Sequence, residues 1–226
     1  MIVTRRLVHT LGATALAASG LAGLAGGVLH PVVDGRSHSV ASMTAEGGPP
    51  AYLLLYGGAV LLMLGLPAAY AWLAPRVGLL GLVGFGLYMI GNALSAQSHL
   101  VVEGFVAREI VGTRPDLVPA DGSILAAPSF VTLQTVGGLV FVAGVLLVGV
   151  ALLVHGHVPR WIGVAFVLSA LGVLVPLPEA PVLTGLQVEL FEAVATVGLA
   201  VAMVRAPHRS PVTPYSAGTT VAESAR

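Results

Sequence analysis

Six long apolar segments fill most of this 226-residue chain and constrain its fold more than any other feature. They cover residues 7–29, 51–73, 77–102, 130–154, 161–175 and 185–204. A helix needs about 20 apolar residues to cross the hydrocarbon core of a bilayer, and all but the fifth segment reach that length. Only 9% of the residues are charged, against about 25% in soluble domains. The sequence therefore predicts an all-α, polytopic transmembrane bundle of about six helices.

The chain reads as one membrane domain, residues 1–206, followed by a Pro-, Ser- and Thr-rich cytoplasmic tail, residues 207–226, that we expect to be disordered. A tight turn at residues 74–76 joins the second and third segments, and the longest connection is 104–129. The fifth segment ends before Pro176 and is short for a span, so it requires tilt or local thinning of the bilayer. The first segment has an alternative interpretation as a cleaved signal peptide, which would leave five helices.

The ten basic residues are all arginines, and their distribution predicts an orientation. With a cytoplasmic N-terminus, seven arginines lie on the cytoplasmic side and three on the outer side, as the positive-inside rule expects. The seven are Arg5, Arg6, Arg76, Arg160, Arg205, Arg209 and Arg226; the three are Arg36, Arg108 and Arg114. We therefore expect a multi-pass protein of the cell membrane with both termini in the cytoplasm.

Composition also excludes several classes of function. The chain has no cysteine, so disulfides, thiol redox chemistry and cysteine-ligated metal or iron–sulfur sites are ruled out. The formal net charge is zero, so no overall field favours a nucleic-acid partner. We expect no cofactor, and no oligomeric state follows from the sequence.

Polar residues of the third segment share one helical face. At 100° per residue, Tyr88, Asn92, Ser95, His99 and Glu103 lie within one narrow stripe. Because lipid would leave such groups unpaired, the stripe must face the bundle interior or a water-filled cleft.

Other segments carry polar residues that we expect at a similar depth. Glu189, Glu192 and Thr196 share one face of the sixth segment, Gln134 begins the fourth, and Tyr56 lies on the second. With a rise of about 1.5 Å per residue, the two glutamates reach the level of the stripe. The polar groups are therefore predicted to converge in the outer half of the bundle.

This convergence suggests acid–base chemistry on a lipophilic molecule. An acid inside a span costs about 2.5 kcal/mol or more on insertion scales, so Glu189 and Glu192 are expected to hold one proton between them. The pair could donate it to an alkene or epoxide, and His99 could accept one back. The candidate catalytic residues are His99, Glu103, Glu189 and Glu192. The candidate substrate-binding or supporting residues are Tyr88, Asn92, Ser95, Gln134, Thr196 and Tyr56.

Other interpretations of the same residues stay open. His99 and Glu103 could share a metal ion completed by Glu189, Glu192 or His30, although our prediction assigns no metal. The acids could instead be neutral groups hydrogen-bonded between helices, which would suit a non-enzymatic scaffold, subunit or lipid-binding protein. A proton-coupled carrier is a third alternative, against which the short length and the lack of a visible repeat count.

Residues 98–105, SHLVVEGF, resemble the emopamil-binding-protein class of sterol isomerases. In that five-helix family a histidine and a glutamate one turn later, followed by glycine and an aromatic residue, lie at the matching place. His99, Glu103, Gly104 and Phe105 match this pattern. The resemblance implies that His99 and Glu103 are the acid–base pair that moves a proton on an isoprenoid skeleton.

The chain also departs from that family. Gln134 stands where the family's next helix supplies a glutamate, and Glu192 and Thr196 stand where its last helix carries asparagine and tryptophan. Small integral-membrane terpene cyclases are similar in size and in their membrane carboxylates, and the overall pattern resembles a broad group of actinobacterial six-helix membrane proteins. The leading prediction is a cofactor-free cyclase or isomerase acting on a membrane lipid or isoprenoid-like molecule.

Overall fold

A computed structural model describes residues 4–117, 125, 127–155 and 158–205, and this part of the chain contains helices and no strand. The prediction of an all-α helical bundle is confirmed. The predicted tail, residues 207–226, lies outside the described residues. The helices are α1 (Arg5–Leu29), α2 (Val40–Thr44), α3 (Gly48–Gly91), α4 (Ser98–Val101), α5 (Arg108–Thr113), α6 (Pro128–His155), α7 (Arg160–Gly172) and α8 (Leu183–Arg205). Two π-helical turns, Asn92–Gln97 and Val102–Ala107, join α3 to α4 and α4 to α5.

Helix α3 reverses direction at Gly78, whose φ of 56° and ψ of −156° lie in a region open almost only to glycine. The Asn92 side-chain amide donates to the Ala59 carbonyl at 3.0 Å. A straight helix would hold these two residues about 50 Å apart. The second and third apolar segments are therefore the two antiparallel arms, 48–77 and 79–113, of one helical hairpin.

Two boundaries of the hairpin differ from the prediction. The turn of the hairpin lies at Gly78 instead of at residues 74–76, because Pro75 is accommodated inside the first arm. The second arm stays helical to Thr113, although residues 104–129 were predicted to form a loop; Arg108 holds this end by donating to the Met43 carbonyl at 2.7 Å.

Helix α7 stops at Gly172, three residues before the predicted end of the fifth segment. The Gln187 side-chain amide of α8 donates to the carbonyls of Gly172 at 3.0 Å and Val175 at 2.5 Å. These bonds satisfy carbonyl groups that a helix leaves free at its C-terminus, so the chain can leave the helix early.

Among the described residues, four helical segments are long and apolar enough to cross a membrane: α1, the two-armed hairpin Gly48–Thr113, α6 and α8. Helix α7 is apolar but shorter. Large apolar side chains on their outer faces are exposed, including Leu21 (61%), Leu64 (64%) and Leu139 (62%). So much exposed apolar surface suits hydrocarbon and is unfavourable in water. These features identify an integral membrane protein.

The helices pack in a closed ring in the order α1, hairpin, α6, α7, α8 and back to α1. Small residues let the backbones approach: a Cβ atom on Gly185 of α8 would collide with the Gly27 carbonyl of α1. One end of the ring is filled by a core that includes Leu66, Phe166 and Leu199. The other end, where residues 30–47 connect α1 to the hairpin, contains a cavity, and we call it the cavity end.

Candidate functional site

A tight turn in the loop after α1 brings two histidines to the cavity end. Asp34 and Gly35 both have positive φ, 51° and 70°, and the backbones of Val33 and Arg36 exchange two hydrogen bonds of 3.0 Å. An Asp-Gly pair favours this turn, which reverses the chain between two extended stretches. The reversal returns the loop toward the end of α1, so that His30 and His38 face the same buried carboxylate.

That carboxylate belongs to Glu103, and three imidazoles surround it. The Nε2 atom of His30 lies 3.4 Å and that of His38 3.7 Å from Oε1, while Nε2 of His99 lies 3.1 Å from Oε2. The Nε2 atoms of His38 and His99 are 3.1 Å apart. We call these four residues the histidine cluster. The side chain of Glu103 is fully buried, whereas 38% of the His38 side chain is exposed.

Neighbouring groups hold the cluster in place. The buried Tyr52 hydroxyl donates to Oε1 of Glu103 at 3.3 Å, and the Tyr52 ring packs edge-on against His30. Nδ1 of His30 donates to the Pro31 carbonyl at 3.2 Å. Nδ1 of His38 contacts the Ser37 hydroxyl at 2.9 Å.

Burial lowers the pKa of the His38 imidazole below its usual value, although the Glu103 carboxylate acts in the opposite direction. His99 and the less exposed His30 lower it further. Removing a cation from water is costly in such surroundings, so His38 favours its neutral form.

Two further acids, Glu189 and Glu192 of α8, form what we call the carboxylate pair. The Tyr88 hydroxyl donates to Oε1 of Glu192 at 2.5 Å. Glu189 packs across the glycine face of α1, where a Cβ atom on Gly23 would lie 2.6 Å from Oε2 of Glu189. Within the described part of the chain, Glu189 has no hydrogen-bond partner, so its carboxyl group is available to a bound molecule.

One cavity of about 350 Å³ connects the histidine cluster with the carboxylate pair. Its walls come from α1, both arms of the hairpin, α6 and α8, and they are mostly apolar. Leu55, Leu62, Phe141, Val142 and Val188 are among the apolar lining residues. Small-molecule sites usually combine such walls with a few polar groups. The four candidate catalytic residues predicted from the sequence all line this space.

The predicted polar stripe faces the same cavity through two π-helical turns. Asn92 binds the first arm of the hairpin, as described above, and is 1% exposed. The Ser95 hydroxyl donates to Oε1 of Gln134 at 3.3 Å, and Nε2 of Gln134 donates to the Ser98 hydroxyl at 2.8 Å. Asn92, Ser95 and Gln134 therefore both line the cavity and join neighbouring helices. π-Helical turns occur frequently at functional sites.

The remaining supporting residues have different positions. Thr196 lines the cavity, but its hydroxyl donates to the backbone carbonyl of Glu192 at 2.8 Å. The Tyr56 ring packs against Phe105 with centroids 5.8 Å apart, and Tyr56 is not among the lining residues. Tyr88 reaches the site through its bond to Glu192.

Sequence reasoning missed two members of the site, His38 and Tyr52. His38 lies in a loop, where helical periodicity carries no information, and Tyr52 has the position of an ordinary interfacial aromatic. The sequence did contain one signal for His38: the Asp-Gly turn between His30 and His38 predicts that the chain doubles back. The structure therefore completes the His99–Glu103 pair with His30 and His38. The alternative metal site predicted from the sequence had included His30, Glu189 or Glu192, but not His38.

No family model, curated protein or solved structure matches the chain. The likeness of SHLVVEGF to sterol isomerases thus stays a prediction.

Proposed function

We propose that this integral membrane protein is an enzyme that moves a proton on a lipophilic, isoprenoid-like molecule, as a cyclase or isomerase does. One observation carries the proposal: a single, mostly apolar cavity brings the carboxylate pair and the histidine cluster together inside a bundle with an apolar exterior. Apolar walls bind an apolar molecule, and the few polar groups act on it.

The carboxylate pair supplies a proton donor and a proton acceptor. The Tyr88 hydroxyl stabilises the ionised form of Glu192 by donating to it. Glu189 has no such donor within the described residues, so the shared proton is better placed on Glu189. Protonation of an alkene carbon by Glu189 creates a carbocation, and removal of a proton from a neighbouring carbon by Glu192 restores a double bond at a new position.

The sequence analysis also predicts that His99 and Glu103 take part in proton transfer to and from the substrate, and that role stays a prediction. His99 also lines the cavity and provides a second proton acceptor. Tyr88, Asn92, Ser95, Gln134 and Thr196 shape the site between them.

The arginine distribution supports an outward-facing cavity with both termini in the cytoplasm of a cell whose plasma membrane holds the protein. A lipophilic molecule would then enter from the outer leaflet.

The test compares the lipids of cells that produce the wild type or the Glu189→Gln/Glu192→Gln double variant in an isoprenoid-producing host. Glutamine keeps the shape of the side chain and removes the transferable proton. We expect mass spectrometry to find a new isomer or cyclic product with the wild type and at least a 100-fold loss with the variant, since acid–base catalysis contributes about 10²–10⁴-fold.

The matched control is Glu46→Gln/Glu109→Gln, which removes two exposed acids of the same chain and should leave the product unchanged. Equal membrane levels of all three proteins are confirmed first. If the wild type yields no product but purifies with an unaltered lipid, a lipid-binding protein without turnover replaces the enzyme.

A further inference from the structure

We propose that the histidine cluster binds a divalent transition-metal ion of the Zn²⁺ type at the mouth of the cavity. The ligands are Nε2 of His30 and His38 and a carboxylate oxygen of Glu103, which lie close enough together to share one ion. His99, which contacts both His38 and Glu103, lies beside them. This inference goes beyond the proton transfer assigned to the carboxylate pair and does not rest on it.

The spacing of His30, His38 and Glu103 fits a metal site better than a set of hydrogen bonds. Bonds of about 2.0–2.2 Å place the ligands of a tetrahedral ion about 3.3–3.6 Å apart. In the cluster, contacts of Glu103 with His30 (3.4 Å) and His38 (3.7 Å) are too long for good hydrogen bonds. His99 lies 3.1 Å from both Glu103 and His38, which is a hydrogen-bond distance and places it beside the ion.

One oxygen of the buried acid has no hydrogen bond. Oε2 of Glu103 is fully buried, and His99 Nε2 contacts it at 3.1 Å without forming a hydrogen bond. A buried carboxylate oxygen without a hydrogen bond destabilises the fold. A cation between Glu103 and the imidazoles of His30 and His38 would remove that penalty.

The opposite ring nitrogens of two imidazoles are already engaged. The Pro31 carbonyl can only accept, so Nδ1 of His30 carries a hydrogen. In the neutral imidazole, Nε2 then presents its lone pair toward Glu103. The Ser37 hydroxyl can accept from Nδ1 of His38 in the same way. Metal-bound histidines usually donate their second ring N–H to a carbonyl or similar oxygen, which fixes this tautomer.

The donor set indicates the class of ion. Two imidazoles and one carboxylate suit Zn²⁺ and related divalent ions, whereas the thiolates that select softer metals are absent from this cysteine-free chain.

The experiment measures Zn²⁺ binding to the full chain, purified in detergent with a histidine-free affinity tag and stripped with a chelator. Equilibrium dialysis followed by elemental analysis should give one Zn²⁺ per wild-type chain. Glu103→Gln and His30→Ala should each weaken binding by at least about 100-fold. Tyr52→Phe, which removes only the bond to Glu103, should weaken it by about 10-fold.

The control is His9→Ala/His155→Ala, which changes two histidines outside the cluster and should bind like the wild type. Thermal unfolding provides a readout that needs no variant, because a bound ion raises the unfolding temperature of the wild type. Absence of both a bound Zn²⁺ and this shift would overturn the proposal. Equal affinity in the wild type and the Glu103→Gln variant, or equal loss in the control, would also overturn it.

Discussion

At the scale of single residues, Gly138 is the position at which the cavity can be filled with least disturbance to helix packing. It lines the cavity, and a Cβ atom there would contact only the Ser95 hydroxyl, at an ordinary 3.8 Å. Gly138→Leu should reduce the amount of co-purifying lipid by at least tenfold, about 1.4 kcal/mol of binding free energy, while the helical content stays unchanged. Native mass spectrometry measures the bound lipid.

The control for Gly138→Leu is Gly57→Leu. Gly57 also lies in a helix, a Cβ atom there meets nothing within 4 Å, and the residue does not line the cavity. Unchanged lipid in the Gly138→Leu protein, or an equal loss in the control, would show that the cavity is not where the lipid binds.

Single residues also show how far sequence reasoning reaches. Glu189 and Glu192 could be predicted because an acid within an apolar helix is costly in a membrane, and helical periodicity shows which face of the helix carries it. His38 could not be predicted in this way, because its position depends on a loop that turns at Gly35 and rests on Glu179, whose carboxylate accepts from the Ser37 backbone at 2.5 Å. Such a contact joins residues far apart in the chain, and no local pattern records it.

At the scale of elements, the hairpin depends on the turn at Gly78. A Cβ atom there would meet only His155, at 4.0 Å, so the backbone conformation alone opposes a side chain. Gly78→Ala should destabilise the protein by about 1–3 kcal/mol. Gly86→Ala is the control: it lies in the second arm with open space around it, and removing a helical glycine should stabilise by about 0.5–1 kcal/mol. Thermal unfolding in detergent measures both, and equal stabilities would refute the strained turn.

The elements were predictable where hydropathy alone defines them. Helices α1, α6 and α8 begin and end within two residues of the predicted segments. The second arm of the hairpin was not predictable in this way, because its two π-helical turns and its extension to Thr113 follow from tertiary hydrogen bonds. Asn92 is fixed to the first arm, Gln134 of α6 holds Ser95 and Ser98, and Arg108 binds the loop. Apolar periodicity contains no record of these partners.

At the scale of the whole molecule, polarity is divided between the two ends of the bundle. The cavity end holds the histidine cluster and the carboxylate pair, while the opposite end is a closed apolar core. A largely apolar core at one end and a cavity at the other indicate that a molecule reaches the site from the cavity end. The orientation of the bundle therefore decides which leaflet supplies the bound molecule.

The absence of cysteine makes this orientation directly measurable, since the wild type gives no background with thiol reagents. Glu46→Cys places one thiol at the exposed cavity end, and Pro159→Cys places one at the exposed opposite end, before α7. In intact cells, a membrane-impermeant maleimide should label Glu46→Cys and leave Pro159→Cys unlabelled until the membrane is permeabilised. The reverse pattern would contradict the arginine-based orientation. The cavity would then receive its lipophilic molecule from the cytoplasmic leaflet, and the histidine cluster would take its metal ion from the cytoplasm.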